Sequence, residues 1–141
     1  VILIAAATLA AGCGGSEESG PAPPTNEKFI TEADTICATG LAQMQDAVRT
    51  TFGNKAPTEE EATAFTTTET VPMLTAQIAD LKALTPPEGD EATVEAIWDA
   101  MEEGLGTIED DPASVLADPI PMVDALELAR SYGFRSCGNV S

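Results

Sequence analysis

Three cysteines, Cys13, Cys37 and Cys137, and 24 side-chain carboxylates carry most of the chemistry open to this chain of 141 residues. Histidine is absent, which removes the commonest general base, the Ser-His-Asp arrangement and every zinc motif that uses an imidazole. No Gly-x-Ser-x-Gly elbow, P-loop or Gly-x-Gly-x-x-Gly turn occurs. Paired carboxylates remain as a route to hydrolysis, as in glycosidases. With so many acids, neighbours in sequence are plentiful and no pair separates from the rest. The densest group, Glu109-Asp110-Asp111 with Asp118 nearby, lacks the alternating ligands, central glycine and closing glutamate of a calcium loop. It reads as a solvated loop, while Glu59-Glu60-Glu61 reads as a helix start and Glu102-Glu103 as a solvent face. No metal and no cofactor is expected.

Six Lys and Arg against 24 Asp and Glu leave a formal net charge of −18. A nucleic-acid partner is excluded as an expectation, because no cluster of cations exists to neutralise phosphates. Anionic lipid headgroups would be repelled as well, so any attachment to a membrane must come from something other than charge.

That something is written around Cys13. Residues 1–12 are apolar, uncharged and end in Ala10-Ala11-Gly12, after which come Cys13 and Gly14-Gly15-Ser16. The segment is too short to span a bilayer and suits the apolar core of an export signal. Small residues directly before a cysteine resemble the lipobox of bacterial lipoproteins, in which the signal is cut ahead of a cysteine whose thiol takes a diacylglycerol. The resemblance implies lipidation of Cys13, palmitate among the acyl groups, and an extracytoplasmic address at the cell membrane. An ordinary secretory signal is the alternative. Residues 14–28, rich in Gly, Ser, Pro and Glu and without apolar periodicity, read as a tether. Such a stretch reaches about 20 Å on average and at most about 50 Å. Ser16, Ser19 and Thr25, beside prolines, are possible sites for O-linked sugar, with a plain linker the simpler reading.

The arithmetic of sulfur supports this division. Three cysteines would leave an exported protein with one unpaired thiol. If Cys13 carries lipid, Cys37 and Cys137 remain, and an oxidising compartment favours their pairing.

The elements that must position these residues are helices, expected as one domain over residues 29–141. The first is expected from Thr31, with Asp34 completing a weak capping box, and its apolar stripe runs Ala33, Cys37, Leu41, Met44, Val48 and Phe52 before Gly53. Thr58 and Glu61 form a capping box for the second, whose expected buried face is Phe65, Thr68, Val71, Leu74, Ile78, Leu81 and Leu84. Pro72 inside it predicts a kink or two helices meeting, and the threonine tract leaves a strand over Phe65 to Val71 as an alternative. Thr85-Pro86-Pro87 makes a turn, and Asp90 is the expected cap of a third helix with Val94, Ile97, Trp98, Met101, Leu105 and Ile108 on one side. Trp98 belongs to that stripe and reads as core rather than as a ligand platform. After a short piece near Ser114, the fourth helix carries Met122, Leu126, Ala129 and Tyr132, with Gly133 as a left-handed terminator and Phe134 folding back.

The expected fold is all-α: an up-down four-helix bundle closed by one disulfide. In that topology the end of helix four lies beside the start of helix one, where Cys137 and Cys37 sit. The runs Asp34-Thr-Ile-Cys37, Leu81-Lys-Ala-Leu84-Thr-Pro86-Pro87 and Tyr132-Gly133-Phe134-Arg-Ser-Cys137-Gly138 together resemble a group of small exported actinobacterial lipoproteins of uncharacterised function. The resemblance implies location and a bridged helical domain, and no reaction or ligand. The function expected is that of a monomeric, non-catalytic binding or interaction module of the cell envelope, whose partner is an envelope protein or a small-molecule ligand. A carboxylate-based envelope hydrolase and a structural, cation-buffering surface protein are the alternatives.

Overall fold

A computed structural model describes residues 24–139, in which all regular structure is helical. Residues 1–12, expected as an export signal, with Cys13 and the expected tether up to residue 23, lie outside the described residues. Helix α1 spans Asn26–Phe52. Helix α2 (Glu59–Phe65) continues through a π-helical turn at Thr66–Thr70 into α3 (Val71–Lys82), so the two form one rod. Helix α4 spans Glu91–Asp110, a 3₁₀ turn follows at Pro112–Leu116, and α5 spans Val123–Tyr132. The expected four-rod bundle is therefore present, with no strand among the described residues.

Three elements differ from expectation, each for a local reason. Helix α1 starts at Asn26 rather than Thr31, because Thr25 accepts the Lys28 N–H as cap and Phe29, fully buried, needs helical geometry to reach the core. The last residues assigned to the tether, Asn26 to Lys28, thus belong to the domain.

At Pro72 α2 and α3 meet, as one of the two readings had it, but through a continuous π-helical turn, and no strand forms. Backbone angles stay helical at Thr66 (φ −57°, ψ −46°) and Val71 (φ −60°, ψ −51°). Just ahead of the proline the turn widens, and the Val71 N–H bonds the carbonyl of Thr66, five residues back. A proline ring collides with the carbonyl four residues before it, and a π turn at that place gives it room. The hydroxyls of Thr66, Thr67 and Thr68 bond back to carbonyls one turn earlier, at 2.9, 3.1 and 3.0 Å. The tract that read as poor helix former satisfies its hydroxyls within the helix.

The third difference concerns Asp90, which stands at the expected cap position of α4 but makes no capping bond. Its carboxylate instead accepts from the Tyr132 hydroxyl at 2.7 Å and from the Asn26 amide at 3.1 Å. The starts of α1 and α4 and the end of α5 are clasped by that one side chain. Both halves of the capping box at Thr58 and Glu61 form as read.

The core is aromatic at this end of the bundle. Phe29, Trp98 and Phe134 are buried, and half-buried Tyr132 packs against them. Trp98 and Phe134 stack with ring centres 5.9 Å apart, and Phe134 lies 5.1 Å from Tyr132. Pairs of this kind add about 0.5–1.5 kcal/mol each beyond their burial. Phe134 reaches its place because Gly133 adopts φ 116°, which lets the Phe134 N–H bond the Ala129 carbonyl.

Packing is sequential: α1 lies on α3, α3 on α4, and α4 on α5. The fourth contact of a closed bundle, α5 along α1, is replaced by the chain after α5. Residues 133–139 fill that gap, and Cys37 and Cys137 are joined there with Cα atoms 5.1 Å apart.

Candidate functional site

Where α5 ends its partnership with α1, a cleft opens. Helix α1 has 27 residues and α5 has 10, or about 40 Å against about 15 Å at 1.5 Å per residue. The apolar stripe of α1 continues past the reach of α5, leaving Leu41 and Met44 half-buried. Opposite them stand Leu74 and Ile78 of α3, Ile120 of the preceding loop and Leu126 of α5. The space between has a volume of about 250 Å³.

All four methionines of the chain line this one cleft: Met44 from α1, Met73 from α3, Met101 from α4 and Met122 from the loop into α5. They fall into two neighbouring pairs. The Thr70 hydroxyl lies 3.8 Å from the Met44 sulfur, and Thr70 and Met73 are one turn apart on the same rod. Met122 rests on Gly104, where a Cβ would stand 2.5 Å from its sulfur, and Gly104 is one turn from Met101. Met101 is buried and the other three are half-buried, so thioethers form both floor and rim. Methionine has three rotatable bonds and a polarisable sulfur, which makes such a surface adaptable to the shape laid against it.

One end of the cleft is polar. The disulfide forms its wall, the Gln77 amide donates towards the Cys37 sulfur at 3.5 Å, and Ser136 and Asn139 complete the edge. No charged side chain lines it.

The polar edge is held by Asp34. Its carboxylate accepts backbone N–H groups from Arg135 at 3.0 Å, Ser136 at 2.8 Å and Cys137 at 3.2 Å. Read from sequence, Asp34 is a capping residue of α1. In the structure it caps the closing turn of the chain, 101 to 103 residues away. Arg130 adds a bond to the Gly138 carbonyl at 2.7 Å.

The sequence-predicted residues are distributed as follows. Cys37 and Cys137 are bonded to each other and buried, as read. Trp98 is in the core, 5% exposed, and does not reach the cleft. Cys13 lies outside the described residues. Glu109, Asp110, Asp111 and Asp118 are exposed, and among the described residues no group of three or more Asp, Glu or Cys gathers as metal ligands would. Every described carboxylate is exposed except Asp34 and Asp90, which are half-buried and committed to the bonds given above. No helix among the described residues is long and apolar enough to cross a membrane.

The methionine cleft was not visible beforehand. Met44, Met101 and Met122 each lay on an expected apolar face, but Met73, beside Pro72, lay on none. Compared with protein-family models, with curated proteins and with solved structures, the chain matches none.

Proposed function

We propose that this protein is a lipid-anchored, non-catalytic module of the cell envelope that binds a small apolar molecule in the methionine-lined cleft. The observation that carries the reading is the convergence of all four methionines, from four separate elements, on one uncharged apolar opening. An opening of this kind, with few polar groups at one end, is the usual form of a small-molecule site. Flexible thioether walls suit a ligand that varies in shape. Acylation of Cys13 and the tether after it would hold the domain beside a membrane, where apolar molecules are concentrated. The likeness to small actinobacterial lipoproteins agrees with that address. A hydrolase would call for a paired, desolvated carboxylate facing a cleft, and the acids named above do not line this one.

The test is direct. A fluorescent apolar probe titrated into the full-length exported protein should bind with one site per chain, and Met73→Trp, which fills the mouth, should abolish binding while the melting temperature is kept. Probe binding that is indifferent to Met73→Trp would refute the site. Intact-mass analysis of membrane-extracted material should show acyl groups on Cys13, and Cys13→Ser should release the protein from the membrane.

A further inference from the structure

We infer that the ligand of the cleft is a single straight alkyl chain of about ten carbons under an uncharged, hydrogen-bonding head group; this rests on the cleft being the binding site. Volume sets the length. A dry cavity of about 150 Å³ accommodates benzene, with its six carbons. The same packing in about 250 Å³ gives about ten carbons.

Polarity sets the orientation. The end formed by Gln77, Ser136 and Asn139 beside the disulfide offers amide and hydroxyl groups. The rest of the lining is apolar, and Met44 lies about one turn of α1 beyond Gly40, further from that end. A head group therefore sits against the closing turn of the chain and the tail points along α1 towards Met44 and Met73.

Charge sets the class of head. A carboxylate or ammonium drawn into the cleft finds no charged side chain in the lining to pair with it, and an unpaired ion in an apolar site is strongly disfavoured. The net charge of −18 adds a general penalty for anions. Alcohols, amides and glycerides satisfy Gln77, Ser136 and Asn139 without that penalty.

The experiment uses the full chain carrying Cys13→Ser, so that no acyl chain of its own competes. Normal alkanols from butanol to tetradecanol are titrated in displacement of the fluorescent probe, with decanoate and decylamine as charged counterparts. Affinity should rise about fourfold per methylene, as complete burial of each requires, and level off near decanol. Decanol should bind at least tenfold more tightly than either charged counterpart. Leu126→Trp and Met73→Trp should each weaken decanol at least tenfold, with the melting temperature, the helical far-ultraviolet dichroism and the disulfide retained as evidence of folding. A rise that continues unbroken to tetradecanol, or equal binding of decanoate, would overturn the inference and leave the site intact. Failure of every alkanol to displace a probe whose binding Met73→Trp abolishes would overturn the inference alone, whereas probe binding indifferent to Met73→Trp would overturn the site as well.

Discussion

Replacing Asp34 by alanine tests how the closing turn is held. The substitution removes the acceptor of three backbone N–H groups, and those of Ser136 and Cys137 are partly buried. A hydrogen bond to a charged acceptor contributes about 1.5–3 kcal/mol, and a buried N–H left without a partner costs about 1–3 kcal/mol. The three bonds share one half-exposed carboxylate, so their sum is well below three separate bonds, and about 2–3 kcal/mol is expected for Asp34→Ala. For a domain of this size that lowers the melting temperature by about 10 °C. Asp34→Asn keeps one oxygen acceptor and should lose about half as much. Hydrogen exchange gives the local readout. The amides of residues 135–137 should exchange about thirtyfold faster in Asp34→Ala, the factor equivalent to about 2 kcal/mol of local opening, while those of Ile97 and Trp98 change only with global stability. Asp34 and the disulfide restrain the same segment, so removal of both should be non-additive by more than about 0.5 kcal/mol. An Asp34→Ala protein within about 0.5 kcal/mol of the parent, or unchanged exchange at residues 135–137, would refute this account of the turn.

Three further outcomes follow from the same structure. The Cys37–Cys137 bridge spans a sequence separation of 100, for which chain entropy predicts about 4.7 kcal/mol; Cys37→Ala/Cys137→Ala should melt about 15–20 °C lower, and a drop under about 5 °C would mean that the unfolded chain is not restrained as supposed. Tyr132 is the only tyrosine, and burial together with the Asp90 carboxylate raises its pKa from 10.0 to about 12. Its neutral form is thus favoured by folding, so the stability it contributes is full below pH 10 and is lost as pH rises from there through about 12; ultraviolet titration of the tyrosinate should show this late midpoint, and Asp90→Asn should bring it down. Gly104→Ala places a methyl 2.9 Å from the Pro121 carbonyl as well as against Met122, so the loop must move; destabilisation of about 1–3 kcal/mol and a weakened probe site are expected, and a variant matching the parent in both would show that the loop yields freely.

Periodicity located the four rods, because each helix buries one face and the residues of that face recur at helical spacing whatever they pack against. Gly133 and Phe134 were legible for the same reason: a left-handed terminator and the apolar residue after it act within one turn of their own helix. The pairing of Cys37 with Cys137 followed from counting sulfurs and from up-down topology. What sequence could not supply was any contact made by a polar side chain across the fold. Asp34 carries the local pattern of a cap and spends its carboxylate on residues 101 to 103 positions away, and Asp90 does the same towards Tyr132. At Pro72 the widened turn was hidden because a π turn and a kink answer the same steric conflict.

The cleft belongs wholly to tertiary structure. Its existence depends on a difference in length between two helices that meet where α1 starts and α5 ends, and on which residue of each stripe falls beyond the shorter one. A stripe records that a residue faces inward and carries no record of what stands opposite. Met44 is written as core and becomes the rim of an opening, since burial is a property of two surfaces and the sequence of one helix describes only its own.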